Sequence, residues 1–404
     1  MNMNASGNSG RPILFLMINM FIAMLGIGLI IPILPEFLKE FGAGGKTAGY
    51  LVAAFGLTQF LFSPIAGEWS DKYGRKMMIV SGLVLFTISN LVFALAEHTW
   101  VLYLSRLIGG IGAAAMIPSM LAYVADITTE DKRGKGLGLL GAAMSLGFVI
   151  GPGIGGFLAE LGLRMPFYIS AAVAAVASIG SIFFLSESLS KEKQLAARND
   201  QSKKENIFLQ LGSSFKSSYF IMLVLIFTMT FGLANFEVIF PLFVDAKFGY
   251  TPRDISIIIT VGALAGTIVQ AVLIGKLITR FGEKKLINWT FFFSAVAIVL
   301  MLLSGNFWYM LVLTVLFFTL TSIMRPAINT LLSKQAGDEQ GFVAGMNNAY
   351  MSLGNIFGPA VAGTLYGVHL NAPYLFGAII LVLSLYLSRM EGRRSMKPVT
   401  ASSN

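Results

Sequence analysis

The sequence predicts an all-α membrane protein of twelve spanning helices in two homologous six-helix bundles. Three observations predict it. The chain is 55% hydrophobic and only 12% charged, with a mean hydropathy of +0.75, whereas soluble globular chains carry about 25% charge. Apolar stretches of roughly 20 residues, the length that crosses a bilayer as a helix, recur from end to end. The chain also repeats itself. Met144–Gly156 reads MSLGFVIGPGIGG, and 207 residues later Met351–Gly363 reads MSLGNIFGPAVAG. Similar shifts carry Gly67 and Gly74 to Gly275 and Gly282, Pro118 to Pro326, and Pro35 to Pro241. Duplication on that scale in an apolar chain marks a transporter built from two membrane halves.

The spans are expected near 12–34, 48–69, 77–97, 100–125, 136–160 and 164–186 in the first bundle. The second bundle takes 218–244, 254–279, 284–304, 307–333, 342–367 and 372–390. Their continuous apolar runs exclude a membrane β-barrel, which would alternate polar and apolar residues. The first run follows Arg11, has no small-residue cleavage site and is too long for a signal-peptide core, so it reads as an uncleaved first helix. Residues 1–11 and 391–404 are polar tails. The long polar stretch 187–217, rich in Lys, Glu, Gln and Ser, reads as a linker joining the bundles 12–186 and 218–390.

The net charge of +9 needs no nucleic acid to explain it. With the amino terminus inside, 22 of the 29 Lys and Arg fall in inner segments. Outer segments hold Lys39, Lys46, Arg164, Lys247 and Arg253, while Arg106 and Arg325 lie within spans. This asymmetry places both termini in the cytoplasm, and inner lysines are suited to touch anionic lipid. The chain has no Cys, and its two histidines, His98 and His369, fall in expected outer loops. No haem, iron–sulfur, zinc or other metal site is expected. The pattern G-x-x-x-x-G-K-[ST] is absent, which disfavours ATP hydrolysis by this chain. An enzyme is disfavoured because no His, Cys or acid cluster occurs.

Four places carry chemistry. Between the second and third spans stands Gly67-Glu68-Trp69-Ser70-Asp71-Lys72-Tyr73-Gly74-Arg75-Lys76. Its glycines allow a tight turn, and its acid and bases can pair at the membrane rim. The second copy, Gly275–Lys284, keeps the glycines but has Thr279 where the acid stood. The fourth span holds Arg106 in L-x-x-x-R-x-x-x-G, at Leu102, Arg106 and Gly110. An arginine in a span costs about 2.5–3.5 kcal/mol even on the lenient insertion scale. It is either functional or snorkels to the nearby surface. In the fifth span Gly147, Gly151 and Gly155 fall on one helix face and let another helix approach closely, with Pro152 adding a bend and Gly156 following. In the seventh, Glu237 is the one acid well inside a span. A carboxylate there is costly when ionised. One that can hold a proton or a cation in turn has the chemistry of an antiporter. The alternative is a structural carboxylate paired with Arg325 or bonded to Asn235 or Asn355.

These motifs resemble the major facilitator superfamily. The loop resembles its G-x-x-x-D-x-x-G-R-[KR] signature, and G-x-x-x-G-P-x-x-G-G in the fifth span resembles the antiporter motif of its drug-efflux members. Leu25-Gly26-Ile27-Gly28 with Pro32 and Pro35 resembles the first helix of twelve-span drug:proton antiporters. Gly26–Pro35, Arg164–Phe167, Phe231–Leu233, Phe236-Glu237, Met324–Ala327 and Gln340–Phe342 resemble the Bmr and NorA multidrug efflux pumps, and this likeness runs over nearly the whole chain. The resemblance implies a central cavity, alternating access and proton-coupled export of hydrophobic, often cationic drugs and dyes from a bacterial cell. Protons would be the coupling ion, with no cofactor and a monomeric chain. It implies a gating latch at Gly67, Asp71, Gly74, Arg75 and Lys76, resting mainly on the first copy. It implies proton coupling at Glu237, Arg106, Arg325 and Asp245, resting mainly on Glu237. By the same match, substrate contacts fall to Met24, Phe55, Gln59, Phe148, Asn235 and Asn347, although most Met and Phe in spans face lipid or other helices. One departure matters: the resembling pumps have an aspartate three residues before the tenth-span arginine, and here that position is Ser322. The rival readings are an exporter of one metabolite, such as a sugar or amino acid, and a non-transporting sensor.

Overall fold

Lipid offers no partner for backbone N–H and C=O groups, so each span must close its own hydrogen bonds as a helix. The structure is a computed structural model and describes residues 10–199, 207–337 and 339–394. Among them are fifteen helices and no strand. Most of the amino-terminal tail, Lys203 and Lys204 of the linker, and Lys397 lie outside the described residues.

By contact the chain divides into two units. The first comprises α1 (Gly10–Gly28), α2 (Leu34–Lys39), α3 (Gly45–Tyr73), α4 (Arg75–Ala94), α5 (Thr99–Ile127), α6 (Glu130–Ala159), α7 (Met165–Phe184) and α8 (Lys191–Asn199), together with Tyr250–Thr260. The second comprises α9 (Ile207–Ser214), α10 (Phe220–Phe248), α12 (Glu283–Leu300), α13 (Phe307–Ala336), α14 (Gln340–Val368) and α15 (Ala372–Arg394). It also takes α11 (Pro252–Phe281) from Val261 onward. In the first unit α1 packs on α6 and α7, and α4 on α5 and α7. In the second, α10 packs on α14 and α15, and α12 on α13 and α15. The pairing recurs element for element, so the sequence repeat is a repeat of fold.

Twelve of the helices are 18 residues or longer, and they match the twelve expected spans. Ten are long enough and contain a stretch apolar enough to cross a membrane. The other two are α12, which opens with Glu283, Lys284 and Lys285, and α14, which carries Asn347, Asn348 and Asn355. Several boundaries differ from the sequence expectation by four residues or more, among them the start of α6 at Glu130 and the end of α3 at Tyr73, and two have a clear backbone cause. The first span ends at Gly28, because Pro32 and Pro35 cannot donate to a continuing helix; turn bonds carry the chain on to α2 (Ile31 N–H to Gly28 O, 3.2 Å). In the seventh, α10 runs four residues past the expected end at 244, until Gly249 adopts a left-handed φ of +71°. The linker is in part docked: Arg198 of α8 donates to the Lys72 carbonyl (2.8 Å).

Glycine sets how closely the helices approach. A methyl on Gly82 would lie 2.7 Å from the Gly112 carbonyl oxygen, and one on Gly112 would lie 2.8 Å from that of Gly82. Two serines join the same pair: Ser89 Oγ donates to Ser105 O (2.8 Å) and Ser105 Oγ to Ser89 O (2.7 Å). Asn19 of α1 donates to Ser181 of α7 (2.8 Å). Around these contacts Leu16, Met20, Leu83, Phe86, Met116, Met120 and Tyr123 form the first unit's buried core. Gly112→Val should therefore destabilise the protein by about 3 kcal/mol or more, because the clash is with backbone. Thermal unfolding in detergent would measure it against the control Val176→Ala, at an exposed position of α7, which should change little.

Candidate functional site

The loop between α3 and α4 is a charged clamp within the first unit. Gly67 and Asp71 lie inside α3, so the expected tight turn narrows to one residue: Gly74, at φ +105°. Arg75, 9% exposed, pairs with Asp71 (2.7 Å) and with Asp126 at the end of α5 (3.1 Å). It also donates to Ser70 (3.1 Å), which accepts from Ser119 (2.9 Å). Glu187 closes the arrangement from beyond α7. Its carboxylate accepts from the backbone N–H groups of Arg75 (2.8 Å) and Lys76 (3.1 Å), the exposed donors of a helix start, where negative charge is favoured. Lys76 Nζ donates to the Ile182 carbonyl (2.7 Å). In the second unit Gly282 makes the same turn (φ +76°), but Thr279 turns back onto Gly275 O (2.8 Å) and Glu283 pairs with Lys334 of α13 (2.5 Å). Both copies thus tie the third spanning helix of their repeat to the fourth, with the charges exchanged.

The glycine face of α6 lies on α1. A methyl on Gly151 would sit 2.9 Å from both the Leu25 carbonyl oxygen and Gly28 Cα. One on Gly147 would strike Phe21 O, and one on Gly155 would strike Leu29 O. The helix continues unbroken through Pro152. Gly156 points elsewhere, toward Ser256 and the Pro252 carbonyl, and Gly153 faces Thr260. The motif therefore serves two surfaces. The second unit repeats the first surface: Gly354 and Gly358 of α14 lie against Phe227 O (2.9 Å) and Phe231 O (2.6 Å) of α10, measured from a methyl at each glycine.

Among the expected pocket residues of the first unit, Met24 and Phe148 lie on the two sides of the α1–α6 contact, Met24 against Gly147 and the Phe148 carbonyl against Gly28. Phe55 and Gln59 come together where α3 meets Gly109 and Gly110 of α5. Met24 is buried, whereas Phe55, Gln59 and Phe148 are partly exposed. Phe55 and Phe148 also pack on the buried core, so both contribute to packing. Arg106 turns toward α4, its guanidinium 4.1 Å from the centre of the Phe93 ring. Phe93 is fully buried and stacks on Phe37 (5.2 Å) and Phe167 (4.6 Å). Buried Nη2 of Arg106 has no hydrogen-bond partner among the described residues, so cation–π attraction is its visible support.

In the second unit Glu237 stands in the middle of α10, half-buried. Its neighbour Phe236 anchors that turn on Phe317 (4.4 Å) and Phe318 (5.8 Å) of α13. The charge acting on Glu237 is that of Arg325, also on α13. Among the described residues neither side chain makes a hydrogen bond or close ion pair. Asn235 is buried, and its amide nitrogen has no partner among them either. Asn347 is not part of this group. From the way Gly354 and Gly358 meet α10, Asn347 and Asn235 are separated by roughly 15–20 Å along the helix axes, at 1.5 Å per residue. Asp245 sits in the last turn of α10, where its charge acts on Tyr366. Ser322 faces Gly266 of α11.

Sequence reasoning missed Asp126, Glu187 and Phe93. Asp126 had a signal, an acid at the end of an otherwise apolar span. Glu187 had none, since it is one charge in a polar linker. A double-mutant cycle between Arg75→Ala and Asp126→Ala, read by thermal unfolding, should return a coupling of about 1 kcal/mol, because the pair is largely shielded from water (11% and 20% exposed).

Comparison with known proteins fits this geometry. A family model described as Major Facilitator Superfamily matches residues 16–243 and 222–402. Multidrug resistance protein 2 of Bacillus subtilis is 43% identical over 387 residues, covering 96% of each chain. Quinolone resistance protein NorA of Staphylococcus aureus is 37% identical over 364 residues, covering 90% of this chain and 92% of NorA. Among solved structures, the nucleoside transporter NupG superposes with a TM-score of 0.73 at 14% identity, over 96% of this chain and all of that one (100%). A bacterial homolog of the human lysosomal transporter Spinster does so at 0.75 and 15% identity, over 96% and 98%; at such identities these two show the fold alone. A repeated six-helix plan, the signature loop and glycine motif where that plan requires them, and family matches over both halves make this chain a multi-pass membrane transporter that belongs to the major facilitator superfamily.

Proposed function

We propose that this protein exports hydrophobic, often cationic drugs and dyes in exchange for protons, by alternating access, across the plasma membrane of a bacterium. Both termini then lie in the cytoplasm, as the distribution of Lys and Arg argues. The observation that carries the reading is Glu237: a carboxyl in mid-span with no hydrogen bond or close ion pair among the described residues. An ionised carboxylate left in that state is costly. Either a proton or a drug cation relieves the cost, so the two compete for one site. The names of the relatives, multidrug resistance and quinolone resistance proteins, support the same substrate class.

Within this reading Arg325 balances the charge of Glu237 without occupying it, and Asn235 offers an amide to the same turn of helix. The partly exposed Phe55, Gln59 and Phe148 in the first unit supply apolar and polar contact, and flexible, aromatic-rich surfaces of this kind repack around varied ligands. The clamp about Arg75 and Glu187 holds the α3–α4 turn, and its making and breaking accompany the switch between inward- and outward-open states. Arg106, poised on Phe93, takes part in the proton coupling.

The test is ethidium uptake by inverted membrane vesicles carrying a pH gradient. Uptake should collapse with a protonophore. Glu237→Gln should lower it at least about tenfold, the effect of losing roughly 1.4 kcal/mol of coupling. Proton-driven uptake that survives the substitution would move coupling away from Glu237. Wild-type vesicles that take up no ethidium would count against broad drug export.

A further inference from the structure

We infer that each cycle exchanges one proton for one monovalent cation at Glu237, so that export of a monocationic drug is electrically neutral and a dicationic drug is exported against the membrane potential. The inference rests on the antiport reading above and adds to it the stoichiometry and the charge class of the substrate.

The argument begins with where the acids are. The chain has 20 Asp and Glu. In the long helices of the described residues, all but one lie within about two turns of a helix end. Glu68 and Asp71 close α3, Asp126 closes α5, Glu130 and Asp131 open α6, Asp245 closes α10, Asp254 opens α11 and Glu283 opens α12. Four of them already hold charged partners there, Glu68 on Lys72, Asp71 and Asp126 on Arg75, and Glu283 on Lys334. Glu237 is the exception, three turns or more from either end of α10.

Among the described residues no second acid lies in mid-span beside it. The charge that acts on Glu237 comes from Arg325. Ser322, one turn earlier on α13, packs against Gly266 and the close-lying turn of α11 and cannot ionise. Asn235 brings an amide and Phe236 a ring. Ionised Glu237 with Arg325 is therefore a neutral set. A bound proton adds one positive charge, and so does a bound monocation. The loaded protein carries the same charge in both directions, and a full cycle moves one positive charge out and one in. A dication leaves one charge uncompensated.

The test uses the purified full chain in proteoliposomes, with ethidium flux and internal pH followed together. One arm imposes a pH gradient with the membrane potential clamped to zero by valinomycin and equal potassium. A second imposes a potassium diffusion potential with no pH gradient. A pH gradient alone should drive ethidium, a potential alone should not, and proton and dye fluxes should stand at roughly one to one, the ratio a single titrating charge permits. A bis-quaternary dication should instead respond to the potential, its export slowed several-fold when the drug-donor side is negative. A ratio of about two protons per ethidium, or ethidium accumulation driven by potential alone, would overturn the inference while leaving antiport intact, since the clamped potential removes the electrical term. Glu237→Gln that keeps the wild-type ratio would overturn the assignment of that single charge. Ethidium flux with no proton movement in the wild type would overturn the antiport reading itself, and the inference with it.

Discussion

Helices in lipid gain nothing from hiding apolar side chains from one another, because the surrounding tails are as apolar as leucine. What holds them is close approach, and here close approach depends on glycine. The α6 face at Gly147, Gly151 and Gly155 rests on the backbone of α1, and Gly354 and Gly358 of α14 rest on the backbone of α10. Gly82 and Gly112 bring α4 and α5 to carbonyl contact. Those contacts fix the register of each pair, and the register decides which side chains are left over. Met24 lies against Gly147, and the Phe148 carbonyl against Gly28, because these glycines admit the facing helix. The mid-span turn bearing Asn235 and Glu237 is held beside Gly358 and the α13 phenylalanines. Everything chemical about the molecule is arranged by where backbones are allowed to touch.

The two units apply this plan to different ends. Each ties its third and fourth spanning helices at the same corner, yet one does so with Arg75 against Asp126 and the other with Glu283 against Lys334. An exchange of sign preserves a link while removing the chance that partners from the two copies are interchangeable. Glu187 reinforces the first corner by capping α4, whereas Thr279 in the second merely satisfies its own helix. The mid-span carboxyl of Glu237 lies in the second unit, and the corner with more contacts lies in the first. Duplication supplied the frame, and divergence divided the work.

Most of this frame is legible in the sequence. Span length, hydropathy and the 207-residue repeat lead to twelve long helices, and the glycine spacing leads to the α6 face. The limits of legibility have physical reasons. The signature loop reads as two glycines bracketing a turn, but Gly67 has open space around it and stays helical; only a backbone at positive φ needs glycine, and sequence spacing does not say which residue takes it. The polar linker reads as a tether, yet Glu187 and Arg198 are bound to the first unit, because a single hydrogen-bonding side chain leaves no periodic trace. Asn347 reads as a substrate contact alongside Asn235 and is instead far along the helix from it, since the match that selected it carries no register between α10 and α14.

The residues that remain unpaired say more than those that are paired. Buried serines, threonines and asparagines in spans mostly return to the preceding turn or reach a neighbouring helix, as Ser105, Asn19 and Thr321 do. That is the rule for buried polar groups. The amide of Asn235 and one arm of Arg106 break it, and half-buried Glu237 has no hydrogen bond or close ion pair among the described residues. A partner for Glu237 would have been easy to supply: Arg325 is near enough to act on its charge, and a contact at hydrogen-bonding distance would lower the cost of both. Such a contact would also fill the site. A fixed ion pair is satisfied in every state of a transport cycle and so reports nothing about what is bound. A carboxyl left a short distance from its counter-charge stays responsive, because its energy falls only when a proton or a cation arrives. In the proposed exchange, the unmet cost of Glu237 is what lets its occupancy bias the conformation of the protein.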